Sequence, residues 1–241
     1  MIQHYEKEIA VNQFECDFQN RMKAGSLMRQ VEQVSMDNCT AIGVDAALYD
    51  RTHTAFLLAK LSLIFYRDIT VGELLKLDTT AALPVRAVYN RYTSVLDQNG
   101  NEAAGIDTRW VLVDTQSRRI LRRPPEEFQL PFVDKTAKEL DFSIEAVPET
   151  ESVGIVCAEY SRVDINRHLN NAEYADLILN HLPLEELEHT SVERLVIYYH
   201  NELPMGETME LFRAKTTQNS YYFYGIRQDE KKCFEAQVTL K

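Results

Sequence analysis

Asp164, Asn166 and His168 occupy alternate positions just ahead of two asparagines and an apolar run from Tyr174 to Leu182. A carboxylate, a carboxamide and an imidazole can together orient and deprotonate a water, and an extended backbone would turn alternate side chains to one side. Asn170 or Asn171 is placed to cap the helix that the apolar run predicts, with Glu173 reaching back in capping-box fashion. The N–H groups and dipole of that helix start favour a developing oxyanion. This is a hydrolase-like set. The same residue types also make ordinary turns and caps, so spacing alone leaves a purely structural role open. No second His or Cys stands at ligand spacing from His168, and no His-Glu-x-x-His or paired-Cys motif occurs. Neither a metal site nor a cofactor is expected.

The elements that must position these residues recur along the chain. Leu27, Met28, Val31, Val34, Cys39 and Ile42 have helical spacing, predicting a helix over Gly25 to Ile42 with Gly43 as its C-cap. Strand-like runs follow at Ala55 to Tyr66, Lys76 to Leu83, Arg86 to Leu96 and Ala103 to Val113, the last two joined by the turn Asp97 to Gly100. A strand over Gly154 to Glu159 then precedes the polar motif. A helix over Asn171 to Leu182 is stopped by Pro183. Further strands are expected at Val192 to Tyr199, Thr208 to Lys215, Tyr221 to Arg227 and Lys232 to Leu240.

One helix followed by several strands therefore occurs twice. Asn20-Arg21 is expected at the place of Asn166-Arg167, which would put Met22 where His168 stands and Ala24-Gly25 where Asn170-Asn171 stand. Only the second copy would then keep polar chemistry at the helix entrance. The expected architecture is α+β, a tandem double hot-dog in which two long helices each pack on an antiparallel sheet and the sheets join. Its parts would be 1–140, a linker over 141–150, and a catalytic half over 151–241.

Asp164-Ile-Asn166-Arg-His168-Leu-Asn170-Asn171-Ala-Glu-Tyr174 resembles the signature of the acyl-acyl carrier protein (acyl-ACP) thioesterases, hot-dog enzymes of fatty acid synthesis. Phe14 to Phe18 with Gly25 to Gln33 is similar to that family's opening strand and first helix. Gly105 to Asp114 and Arg118 to Pro124 look like the last strands of its first half, and Tyr198 to Leu203 like the strand that carries a catalytic acid. The resemblance implies Asp164, Asn166, His168 and Glu202 as catalytic residues, without settling whether Glu202 or His168 activates water. It also implies an acyl pocket in the first half, for which Met28 and Val31 are candidates, with Asn170 and Asn171 contacting the thioester. The plant pattern reads Arg-Glu-Cys where this chain has Asn201-Glu202, so an acid replaces the cysteine and a thiol nucleophile is disfavoured. With no resemblance to a plastid leader at its start, the chain fits a bacterial type of enzyme better.

At 241 residues the chain can bury a sizeable core. The first residues carry no signal-peptide pattern, no apolar run reaches membrane-spanning length, and the scattered Cys16, Cys39, Cys157 and Cys233 form no disulfide framework. A reduced, cytoplasmic protein is expected, a monomer or homodimer. A net charge of −11 argues against nucleic acid. It also makes an acidic acyl carrier protein an awkward partner unless a basic patch receives it, and Arg118, Arg119, Arg122 and Arg123 are the densest cluster. An acyl-coenzyme A substrate is the alternative within the class. A dehydratase and a non-catalytic acyl-binding module fit less well.

Overall fold

The structure, a computed structural model, describes residues 4–241. The first half contains β1 (His4–Ala10), α1 (Ala24–Ala41), α2 (Ala46–Thr52), β2 (Thr54–Phe65), β3 (Leu74–Ala81), β4 (Val88–Leu96), β5 (Glu102–Asp114) and the short β6 (Arg119–Ile120). The second contains β7 (Glu151–Cys157), α3 (Glu173–Asn180), α4 (Leu184–His189), β8 (Val192–Tyr199), β9 (Thr208–Thr217), β10 (Ser220–Arg227) and β11 (Lys232–Leu240).

All strands join one antiparallel sheet in the order β1-β3-β4-β5-β2-β8-β11-β10-β9-β7, with β6 beside β5. Outward from the middle, each half repeats the same sequence of strands. The halves meet where β2 pairs with β8, Lys60 opposite Tyr198 and Leu63 opposite Leu195. This is the tandem double hot-dog with a continuous sheet.

The apolar stripe of α1 (Leu27, Met28, Val31, Val34) and that of α3 (Tyr174, Leu177, Ile178) enter a single core spanning both halves. Each such side chain contributes about 1.5–3 kcal/mol by leaving water. Tyr174 packs edge-on against Tyr199 and Phe234, with ring centroids 5.4 and 5.0 Å away, which seats α3 on β8 and β11. The helices approach so closely that a Cβ on Gly25 would lie 2.3 Å from the Asp176 carboxylate.

The first helix matches its expected span, and Gly43 follows it with φ +80°. The second is shorter than the long helix expected. At its start the Asn170 side chain takes the Ala172 N–H at 2.8 Å, so Asn170–Ala172 forms a turn ahead of the helix. At its end His181 Nδ1 lies 2.8 Å from the Leu177 carbonyl oxygen, and Pro183 follows without an N–H. The expected capping box is absent: Glu173 pairs instead with Arg29 and with Arg162 Nε, the latter at 3.1 Å. The opening strand is His4–Ala10 rather than Phe14 to Phe18, where Gln13–Glu15 form a 3-10 turn and Phe14 and Phe18 are exposed. α2, not expected from the sequence, starts where the Asp45 side chain accepts the Leu48 N–H.

Between β6 and β7 the chain crosses the sheet without forming helix or strand. It is pinned there by side chains from both halves. Ser62 and Arg194 donate to the Asp141 carbonyl, Tyr198 donates to that of Phe142, and the buried Asp107 accepts the Leu140 N–H. Burial pushes the Asp107 carboxyl up to about 6, against the lowering pull of that N–H and of Arg109.

Candidate active site

The loop before α3 is a tight turn, not an extended strand. Asp164 builds it: Oδ1 accepts the Asn166 N–H at 2.8 Å and Oδ2 accepts the Asn166 carboxamide at 3.2 Å. The Asp164 N–H returns to the His168 carbonyl, and Arg167 takes a left-handed φ of +66°. Alternation therefore does not bring the side chains together, yet the turn does. His168 Nδ1 lies 3.6 Å from Asp164 Oδ2, and its Nε2 lies 3.8 Å from Glu202 Oε1. Both distances exceed a hydrogen bond, leaving the imidazole between two carboxylates with room to engage either.

Glu202 stands past the end of β8 rather than within a strand. Its loop is held by the Leu203 carbonyl, which accepts the Leu169 N–H, and by Arg227, which donates to the Glu202 carbonyl at 2.8 Å. Asn201 turns away to donate to the Lys232 carbonyl at 2.7 Å. Of the adjacent pair, only Glu202 reaches His168.

Asn166 is exposed, and Asn170 spends its carboxamide oxygen on the Ala172 N–H. The Asn171 carbonyl accepts the Tyr199 hydroxyl at 3.0 Å, while its N–H has no acceptor among the described residues. That N–H, at the positive end of α3, can serve a developing oxyanion. Met28 and Val31 are closed into the shared core. Burial pushes the Cys233 thiol up to about 11 and raises that of Cys39, and all four cysteines are free.

The first half contains the same loop one register away from the sequence-based match. Cys16 bridges Met22 as Val163 bridges Leu169, and Arg21 bridges Thr70 as His168 bridges Pro204. Asp17 Oδ1 accepts the Gln19 and Arg21 N–H groups, and Asn20 carries the left-handed φ, +65°. Arg21, not Met22, thus stands where His168 does, Gln19 where Asn166 does, and Asp68 where Glu202 does. The expected pairing was out by one because Asn-Arg recurs as a dipeptide while the backbone aligns on Asp17 and Asp164.

The model of the acyl-ACP thioesterase N-terminal domain matches residues 3–130, and that of the C-terminal domain matches 149–239. The chain belongs to the acyl-ACP thioesterase family. An acyl-ACP thioesterase from Bacteroides thetaiotaomicron shares the fold at a TM-score of 0.89, with 18% identity over 99% of this chain and 98% of that one. The 12:0-ACP thioesterase of Umbellularia californica does so at 0.84, with 13% identity over 100% and 98%. A chloroplastic acyl-[acyl-carrier-protein] hydrolase of Cuphea viscosissima is 20% identical over 87% of this chain and 55% of its own length. The chain thus spans about half the length of such curated relatives. Within the family's C-terminal domain lie Asp164, Asn166, His168 and Glu202; α1 belongs to the N-terminal domain.

Two features went unseen in the sequence. Gln19 and Arg21 donate to the Leu187 carbonyl, and Arg21 also to that of Thr190, so the first loop clamps the end of α4. The Asp-x-x-x-Arg spacing matching Asp-x-x-x-His was the available signal. Glu32 on α1 is the second: one of its oxygens is buried without a partner.

Proposed function

We propose that this protein hydrolyses acyl-ACP thioesters to free fatty acid and carrier thiol. The observation that carries the reading is His168 set between Asp164 and Glu202 at the entrance to α3, within a chain matched by both domains of the family. A thioester has a good leaving group, so an activated water and a stabilised oxyanion suffice. General acid–base help is worth roughly 10²–10⁴-fold. An oxyanion donor is worth about 3 kcal/mol, and the Asn171 N–H fills that role.

His168 and Glu202 handle protons beside the thioester, and Asp164 with Asn166 fixes the imidazole. Asn170 holds the turn that presents Asn171. The acyl chain lies along the α1 face bearing Met28 and Val31, where the flexible methionine moves to admit it. No metal or other cofactor enters the scheme. The carrier is a protein rather than coenzyme A. Arg118, Arg119, Arg122 and Arg123 are exposed and form no ion pair among the described residues, which suits an acidic partner. Free cysteines fit a reducing cytoplasm, and no helix among the described residues is long and apolar enough to cross a membrane. The enzyme works as a monomer or homodimer.

The test is thiol release from acyl-ACP and acyl-coenzyme A of equal chain length. Acyl-ACP is expected to have a kcat/KM at least about tenfold higher, roughly 1.4 kcal/mol of preference. Equal values would return the coenzyme A reading, and no release from either would end the hydrolytic one.

A further inference from the structure

Glu32 belongs to α1, in the half that carries neither Asp164 nor His168, and it has no part in the scheme above. α1 packs against α3, and Arg29, one turn before Glu32, is taken up by Glu173 and Asp176. Facing Glu32 are the Asn170 carboxamide, then Asp164 on the loop, Glu173 on α3 and the half-buried Tyr199 on β8. Its Oε1 is fully buried and has no hydrogen-bond partner among the described residues. Folded chains rarely leave such an oxygen empty-handed unless a water or ligand satisfies it.

The neighbouring acids are engaged or wet. Asp164 spends its oxygens on Asn166, Glu173 is tied to Arg29 and Arg162, and the Glu202 side chain is 57% exposed. Glu32 alone offers a dry, unengaged carboxylate oxygen beside the α3 entrance. At the same spacing after His168 the second half has Leu179, so the acid is supplied to one loop only.

On the hydrolytic reading given above, we propose that Glu32 is the base that activates water, delivered by the first half's helix to the second half's loop. A water between Oε1 and the Asn170 amide gives a proton to Oε1 as its oxygen bonds to the thioester carbonyl carbon. The oxyanion collapses, the C–S bond breaks with its electron pair on sulfur, and the thiolate takes a proton from His168, held between Asp164 and Glu202, which the Glu32 carboxyl then restores. One water is consumed, and one acid and one thiol are released. Burial pushes the Glu32 carboxyl up to about 7, opposed by Asn170 and Arg29 and aided by Asp164 and Glu173. That suits a base working near neutrality.

Burial that raises a carboxyl also sets its effect on stability. The group's contribution is full below its unfolded value near 4.5 and is lost as pH rises through about 7. Glu32→Gln should therefore melt at or above the wild-type temperature, with a gap that widens from pH 5 to pH 8. Its kcat for acyl-ACP should fall at least about a hundredfold with KM within about threefold. Glu32→Ala should regain about tenfold of its lost kcat with added formate or acetate, which supply the missing base. If Glu32→Gln does not fold, Glu32→Asp keeps the charge but withdraws it by one methylene, and should lose about tenfold in kcat. Wild-type kcat in Glu32→Gln or Glu32→Asp overturns the proposal, as does loss of activity through KM alone with no carboxylate rescue. A wild-type enzyme that releases no thiol would bring down the functional reading itself. Active wild type with an equally active Glu32→Gln would remove Glu32 alone.

Discussion

The loops at Cys16–Met22 and Val163–Leu169 are one backbone device used twice. Each is organised by an aspartate accepting N–H groups two and four residues on, each has a left-handed residue before its last turn, and each bridges the segment after a central strand. Their cargo differs. In the first, Arg21 is a permanent cation that donates to Asp17 and to the carbonyls of Leu187 and Thr190, while Asp68 pairs with Lys241. In the second, His168 presents an imidazole that stands between the Asp164 and Glu202 carboxylates and is bonded to neither. The frame is shared, and on the proposed reading an imidazole in place of a guanidinium separates a clamp from a catalyst.

The largest expected effect is at His168. His168→Ala should lower acyl-ACP turnover by about two orders of magnitude or more while the melting temperature stays near wild type. Turnover close to normal would take the imidazole out of the site.

Glu202 comes next. Glu202→Gln keeps shape and removes charge, and its kcat should fall by about tenfold or more. Asn201→Ala, which loses only the bond to the Lys232 carbonyl, should change kcat little. Equal effects from the two, followed over a pH series, would leave His168 without this partner.

Arg21→Ala probes the clamp. It should cost about 1–3 kcal/mol in urea unfolding through lost charge-assisted bonds, and folded enzyme should keep its turnover. A kinetic effect as large as that of His168→Ala would mean that the loops are not divided as described. The smallest effect is expected from thiol alkylation of the native enzyme, which should leave hydrolysis largely intact because Cys233 is buried and held protonated. Stoichiometric inactivation that substrate prevents would restore a thiol nucleophile.

Much of this was legible in the sequence because it rests on local patterns. Alternation and turn residues mark β8 and β11 to the residue, and helical spacing with Gly43 fixes α1. The polar set at 164–168 was visible as a set, but not its geometry. Asp164 and His168 meet because a left-handed Arg167 folds the loop, which no periodicity signals. The length of α3 was misjudged because Asn170 and His181 act on the backbone through their side chains at either end. Glu32 was hidden for another reason. On α1 it looks like any solvated charge, and only the packing of the two halves buries its oxygen.

The most direct measurement makes the two loops alike. Thiol release from acyl-ACP is followed for wild type and for His168→Arg, which places in the second loop the residue the first already tolerates. The expected result is a folded protein with wild-type melting behaviour and turnover reduced at least about a hundredfold. Turnover within about threefold of wild type would contradict the claim that a titratable group at this position makes the second loop the catalytic one.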